Sequence, residues 1–410
     1  MIRRMSDLTL DQRRGPHRGW LITACCFVMA VFGWGTVFYG HGLYISALKD
    51  AHGWSTAQIS GAISFFWIVG IPMTVTVGGL IDRFGPRLVT ATGAMLVGAS
   101  VIGLGQVTEL WQAYACFALM AIGYPAVGAV GISATLGAWF DRGLSVAMSF
   151  ALTGASVGAM LVVPLMARIT EADGFGAATL IMGGITVAGI APMCLLLMGR
   201  PAAIASQTAG PGISAFRHLG ATARQPTFWI IVAASGISLA AQVGYLSHQI
   251  PILEERLSRT DAADAVAVTA AAGIIGRFGL GFLAERYDLR WVAVIAYLLQ
   301  GLGIASLNLV GTGFWLYAAC ALSGFVVGCL VILPPLLIRR WFGSDGYGKN
   351  YGLLAVFAYL CQGIGPGSVG LIHDHAGVYE PALWYLFVLL LVAVAVITRL
   401  GPPPPAASGR

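Results

Sequence analysis

Apolar residues run along this chain in long blocks, each closed by a short polar or charged interruption. A helix needs about 20 mostly apolar residues to cross hydrocarbon. The blocks reach that length repeatedly, and the pattern predicts spans at 20–45, 55–81, 88–106, 110–140, 143–168 and 177–198. It resumes at 226–250, 263–284, 291–311, 313–338, 350–372 and 381–399. The interruptions are short except for residues 199–225, which hold Arg200, Ser206, Gln207, Pro211, Arg217, His218 and Arg224. That stretch reads as a linker between an N-terminal bundle, 20–198, and a C-terminal bundle, 226–399, with tails at 1–19 and 400–410.

Composition agrees with lipid as the main solvent. Hydrophobic residues make up 58% and charged residues 10%, against about a quarter charged in soluble domains. This excludes an ordinary soluble enzyme, a disordered regulator and a nucleic-acid-binding domain. The 7 cysteines all lie in apolar stretches. None has zinc-site spacing, so they read as small buried hydrophobes. No metal site or cofactor is expected. The polar, basic first 19 residues and the long apolar run after them do not resemble a cleavable signal peptide.

The net charge of +6 is explained by its distribution. An even number of spans puts both termini on one side of the membrane. Of the 23 Lys+Arg, 18 fall on that side, and only Lys49, Arg168, Arg256 and Arg259 fall on the other. Basic loops stay in the cytoplasm, so both termini are expected there. A bacterial cytoplasmic membrane is the expected location, with the lipid bilayer as partner.

The halves repeat each other. Gly78-Gly-Leu-Ile-Asp82-Arg83-Phe-Gly-Pro-Arg87 recurs as Gly281-Phe-Leu-Ala-Glu285-Arg286-Tyr-Asp-Leu-Arg290. Trp139-Phe140 recurs as Trp341-Phe342, and Pro164 as Pro366, at nearly the same offset. Repeated halves are typical of secondary transporters, whose sites lie between the repeats. The pattern Gly78-x-x-x-Asp82-Arg83-x-Gly85-x-Arg87 between spans 2 and 3 resembles the signature loop of the major facilitator superfamily. The weaker copy between spans 8 and 9 is similar to its second-half counterpart. The resemblance covers the whole chain. It implies an all-α membrane protein, with twelve transmembrane helices in two pseudo-symmetric six-helix bundles, the major facilitator fold. Asp82, Arg83, Arg87, Arg142, Glu285 and Arg286 are then candidates for gating, by pairing across the halves.

One charge remains inside a span. Arg277 lies in Gly-Ile-Ile-Gly-Arg-Phe-Gly-Leu-Gly of span 8. A charge at that depth costs at least about 2.5–3.5 kcal/mol and usually marks a substrate or ion pathway. Glu285 is about 12 Å further along the helix, and Asp264 about 20 Å in the other direction. Arginine keeps its proton, and its planar fork suits a carboxylate. Ala270, Gly273 and Gly281 share its helical face and leave room for a small ligand.

An arginine at this place resembles span 8 of the monocarboxylate and oxalate–formate branch of the superfamily. His52-Gly-Trp-Ser-Thr-Ala-Gln-Ile-Ser60 and His248-x-x-Pro251 are similar to segments of its bacterial members. The resemblance implies that Arg277 binds a substrate carboxylate. Span 11 lacks the second basic residue of the oxalate exchanger, which favours one carboxylate over two. Gly273 stands where animal proton-coupled members carry an acid, and span 1 has no lysine. Their proton relay therefore does not transfer.

Further candidate contacts among the polar side chains in spans are Tyr39, His41, Tyr124, Tyr245, His248, Tyr359 and Gln362, with Gln242 and Gln249 in the same stripe as Tyr245. His41 or His248 are the candidates for a co-transported proton. Glycines and prolines in span 5 (Gly154, Gly158, Pro164) and span 11 (Gly363, Gly365, Pro366, Gly367) predict kinked, flexible helices. The function expected is alternating-access transport of a small monocarboxylate such as lactate or pyruvate. Proton symport and anion exchange both fit, with one chain as the working unit. The alternatives are a drug or other metabolite antiporter of the same fold, and a membrane sensor that does not transport. No nucleophile–base set suggests an enzyme.

Overall fold

The computed structural model describes residues 16–140, 143–198, 222, 224–343 and 347–403, without the side chains of residues 16, 17, 280, 281, 285, 348 and 349. Arg142, nearly all of the 199–225 linker and the outer parts of both tails lie outside the described residues. Among the described residues every regular element is helical, and 12 helices are long and apolar enough to cross a membrane. Spans 1 to 6 are Arg18–Phe38, Thr56–Phe84, Pro86–Leu104, Leu110–Gly137, Leu144–Asp173 and Phe175–Leu197. Spans 7 to 12 are Pro226–Glu254, Arg259–Ala284, Leu289–Leu309, Phe314–Phe342, Asn350–Ala376 and Glu380–Ile397. Each predicted span is present, with its ends moved by a few residues. The two tails leave the same end of the bundle, called here the terminal end; the opposite one is the far end.

Spans 1, 4 and 10 are broken helices, and span 6 carries a π-helical segment, Thr186–Ile190, none of which hydropathy revealed. Span 1 passes from an α-helix, Pro16–Phe32, through a π-helical turn, Gly33–Phe38, into a second α-helix, His41–His52. A side chain on Gly40, at the junction, would collide with the Thr36 carbonyl. That carbonyl accepts the Tyr44 hydroxyl at 2.6 Å. Span 4 breaks at the extended Gly128, between Leu110–Val127 and Ala129–Gly137. Span 10 breaks between Phe314–Leu330 and Leu333–Phe342. At this break the Val327 carbonyl accepts Gln242 Nε2 of span 7 at 3.0 Å. Irregular backbone survives at membrane depth only where protein groups satisfy it, and Tyr44 and Gln242 do so here.

Spans 5 and 11, where kinks are expected, are not divided into separate helices. Both run as continuous helices, Leu144–Asp173 and Tyr347–Ala376, with Pro164 and Pro366 inside them. Their glycines allow close approach. Side chains on Gly154 and Gly158 would collide with the Phe27 and Val31 carbonyls of span 1. One on Gly365 would collide with the Ala240 carbonyl of span 7.

Across the halves, span 2 packs on span 11 and span 5 on span 8. Gly363, Gly367 and Gly370 of span 11 lie against Ser64 and Ser60 of span 2; a Cβ on Gly370 would be 2.7 Å from Ser60 Oγ. The polar contacts between the halves gather at the far end. Arg168 pairs with Asp264 at 3.0 Å, and Arg259 with Asp50 at 2.5 Å. Glu171 Oε1 accepts the Thr260 amide at 3.0 Å. Asp374 accepts the Thr56 and Ala57 amides at 3.1 and 2.8 Å. The far end is closed.

Candidate functional site

Arg277 is half-buried on span 8. Span 8 lies close to span 10 because both present glycine there. A Cβ on Gly273 would be 3.1 Å from the Gly324 carbonyl oxygen, and one on Gly276 would collide with the Phe325 carbonyl. The Arg277 side chain runs over Gly328, where a Cβ would sit 3.0 Å from its Nε. Gly328 therefore holds open the path of the guanidinium, just before the break in span 10. Among the described residues Arg277 makes no hydrogen bond or ion pair. Asp264, a conceivable partner on its own helix, is committed to Arg168.

The guanidinium lies within electrostatic reach of Cys329 on span 10 and of Tyr39 on span 1. Tyr39 follows directly on the π-helical turn, so the break in span 1 is what sets its phenol at this level. Tyr124, one turn before the break in span 4, lies within reach of both Tyr39 and Tyr359 of span 11. Tyr359 packs against Trp67 of span 2, ring centroids 5.4 Å apart. Four of the predicted contacts thus gather from both halves: Arg277, Tyr39, Tyr124 and Tyr359. The ring is aromatic with one cation, and the Tyr359 hydroxyl is in hydrogen-bond reach of Thr74 of span 2.

Trp67 is a member that sequence reasoning missed. It is 3% exposed, and its indole N–H has no hydrogen-bond partner among the described residues. Its hydrophobic surroundings gave no signal. Gly328 was missed for a similar reason, since a glycine in a glycine-rich span stands out only once its neighbour is known.

The other predicted contacts fall elsewhere. His41 is fully buried between Phe66 and Phe117 of its own half, at 5.2 and 5.8 Å between ring centroids. Both its ring nitrogens lack a partner among the described residues. Tyr245 is turned into the C-terminal half, where its hydroxyl accepts Ser323 Oγ at 3.1 Å. Gln362 donates to the Ala358 carbonyl of its own helix at 3.1 Å. His248 sits in the far-end closure, bonded to Tyr379 and Pro366.

Four of the gating candidates can be followed at the terminal end. Asp82, Arg83, Arg87 and Arg286 are exposed at the terminal end. Arg83 lies over the Phe84 ring at 5.1 Å and Arg286 over Phe282 at 4.0 Å. Among the described residues none of the four makes an ion pair. The side chain of Glu285, like Arg142, lies outside the described residues. At the same end Arg290 pairs with Asp288 of its own half at 3.3 Å.

The two segments singled out near spans 2 and 7 meet each other. Gly53 takes a left-handed φ of 65° to end the helix before it. Ser55 and Gln58 form a capping box that starts span 2, Thr56 and Ala57 offer amides to Asp374, and Ser60 Oγ lies 3.1 Å from His248 Nε2. Their sequence pattern encodes the far-end closure.

Twelve membrane helices in two halves joined at one end, with a cation inside a span that has no ion-pair partner among the described residues, define a membrane transporter. The chain belongs to the Major Facilitator Superfamily, whose pattern matches residues 23–278 and 245–410. It is 25% identical over 374 residues to mouse monocarboxylate transporter 11, covering 88% of this chain and 82% of that one. It is 26% identical over 164 residues to the oxalate:formate antiporter of Oxalobacter formigenes, covering 40% and 38%. The crystal structure of a bacterial homologue of the human lysosomal transporter Spinster, inward-facing and unoccupied, matches with a TM-score of 0.65. It is 16% identical and covers 94% of this chain and 95% of that one. That likeness extends to the fold.

Proposed function

We propose that this transporter carries small organic anions with one carboxylate, lactate- or pyruvate-like, by alternating access. The observation that carries this reading is Arg277, a permanent cation at membrane depth without an ion-pair partner among the described residues. A carboxylate binding it bidentately cancels its charge and lowers the cost of occluding the site. Tyr39, Tyr124 and Tyr359 add hydroxyls and an apolar wall for the rest of a small acid. The monocarboxylate transporters among the relatives support the substrate class, and the single cation favours a monocarboxylate over oxalate. A mid-membrane acid, which a carrier of cationic drugs would use, does not accompany Arg277.

The basic excess at the terminal end supports a cytoplasmic position for both termini. The conformation described then opens toward the cytoplasm. One chain supplies both halves of the site, which favours a monomeric working unit. The driving reaction is proton symport or anion exchange. Purified protein in proteoliposomes is expected to take up a monocarboxylate, and Arg277→Gln and Arg277→Lys to lose that uptake. Intact carboxylate uptake in both variants would sink the reading. An inward acid gradient driving accumulation supports symport; uptake that needs internal anion and ignores the gradient supports exchange.

A further inference from the structure

The far-end closure contains a cluster of titratable groups that binding at Arg277 does not use. Its centre is His248, fully buried on span 7. Nε2 lies 3.0 Å from the Pro366 carbonyl oxygen and 3.1 Å from Ser60 Oγ, and Nδ1 lies 3.2 Å from the Tyr379 hydroxyl. A carbonyl can only accept, so Nε2 carries the ring hydrogen. Ser60 sends its own hydroxyl hydrogen to the Thr56 carbonyl at 2.6 Å. Nδ1 is then the acceptor for the Tyr379 hydroxyl. A neutral ring completes this shell. A second proton, on Nδ1, would force the Tyr379 hydroxyl to turn from donor to acceptor and would place a cation in a site closed to water.

Asp374 lies beside this shell. Its two oxygens cap the first amides of span 2, in the opposite half, and His373 Nδ1 is 3.3 Å from Oδ1. The His373 ring packs on Tyr379, centroids 4.2 Å apart, and the Tyr379 amide donates to Glu255 Oε1 at 2.9 Å. Glu254 binds Arg259, which also binds Asp50. The other charged groups and histidines at this end are Lys49 and His52 in the last turn of the His41–His52 helix, Glu109 before span 4, Arg168, Glu171 and Asp173 at the end of span 5, Arg256 after span 7, Asp261 and Asp264 on span 8, the exposed His375 after Asp374, and Glu380 at the start of span 12. Span 2 presents only hydroxyls and amides to the cluster.

We propose that His248 and Asp374 form a proton-sensitive latch, which holds the far end closed while His248 is neutral and Asp374 ionised, and releases it when the cluster takes up a proton. An imidazolium inside this closed shell has neither water nor a free carboxylate bonded to it to offset its charge, and burying it so is costly. Both become available only when the halves part and Asp374 leaves the span 2 amides. Opening therefore takes up about one proton. The closed form is favoured above the free-imidazole range, near pH 6.5, and lost as pH falls through it. One proton per opening changes the ratio of closed to open by up to about tenfold per pH unit. The latch goes beyond the anion reading, because it acts whichever solute is carried.

The test is electron–electron distance measurement between spin labels on Thr108→Cys and Thr312→Cys. These exposed positions lie in far-end connections of the two halves. The background has the native cysteines replaced, and the protein is in nanodiscs. A short distance is expected at pH 8, with a longer population growing as pH falls to 5. His248→Gln can still donate to Pro366 and accept from Tyr379, but takes no proton; it is expected to stay closed throughout. Asp374→Asn is expected to show the longer population at both pH values. His373→Gln and Arg277→Gln are expected to keep the response, the latter separating the latch from the anion site. An absent pH response in the parent protein, an unchanged one in His248→Gln, or one abolished by His373→Gln would overturn the proposal.

Discussion

The two ends of the bundle put their charges to different use. At the far end the three arginines are all engaged. Arg168 binds Asp264, Arg259 binds Asp50 and Glu254, and Arg256 donates to the Leu307 and Val310 carbonyls at 2.7 and 2.8 Å. At the terminal end Asp82, Arg83, Arg87 and Arg286 are exposed, without an ion pair among the described residues. Closure does not follow from the number of charges, since the terminal end has far more of them. It follows from backbone and small side chains fitted to each other. The Arg168–Asp264 pair is 60% and 43% exposed, and such a pair contributes at most about 1 kcal/mol. The amides of span 2 on Asp374, and the glycines of span 11 on Ser60 and Ser64, are fixed in direction and distance. They make the closed end specific.

The largest effect is expected from filling the closest approach between the halves. Gly370→Val places a branched side chain against Ser60 and the Ala57 backbone. Overpacking of this kind costs about 1–3 kcal/mol. The spin-label distance across the far end should lengthen at every pH; an unchanged distance would mean that the glycine–serine contact does not hold the closure. A smaller effect is expected from Arg168→Gln, which removes an exposed ion pair. Its loss in thermal stability should stay below about 1 kcal/mol, and a larger one would show that the pair, rather than the span 2–span 11 contact, dominates. The smallest effect belongs to the terminal end. Nothing lies within 4 Å of a Cβ on Gly79. Gly79→Val should shift the stability of this conformation by no more than about 0.5 kcal/mol. Slowed uptake in that variant would then report on the opposite conformation, in which the terminal end closes.

The site was partly legible in the sequence. Arg277 was legible because a charge inside an apolar block has no ordinary reason to be there. Tyr39, Tyr124 and Tyr359 were visible as polar side chains in spans, but so were Tyr245 and His41, which lie in the interior of their own halves. A single helix gives no sign of which face meets its own bundle and which meets the other half. The breaks in spans 1, 4 and 10 were hidden for another reason. Hydropathy averages over a window, and a π-helical turn or an extended glycine is as apolar as a regular turn. Gly128 and the pair Gly33 and Gly35 were the available signals, and glycine is too common in this chain for them to stand out.

The sequence by itself determined the number of spans, their repeat, the sharing of one side by both tails and the lone buried cation. These follow from local rules: hydrocarbon thickness sets the length of an apolar block, and desolvation makes each exception conspicuous. Only the tertiary structure decided which tyrosines stand around Arg277, that Gly328 clears its path, and that His248 meets Ser60 and Tyr379 in the far-end closure. Those contacts join residues more than 40 positions apart, across helices whose relative rotation no single apolar block encodes. They are fixed by the mutual fit of glycines, carbonyls and caps when the helices pack.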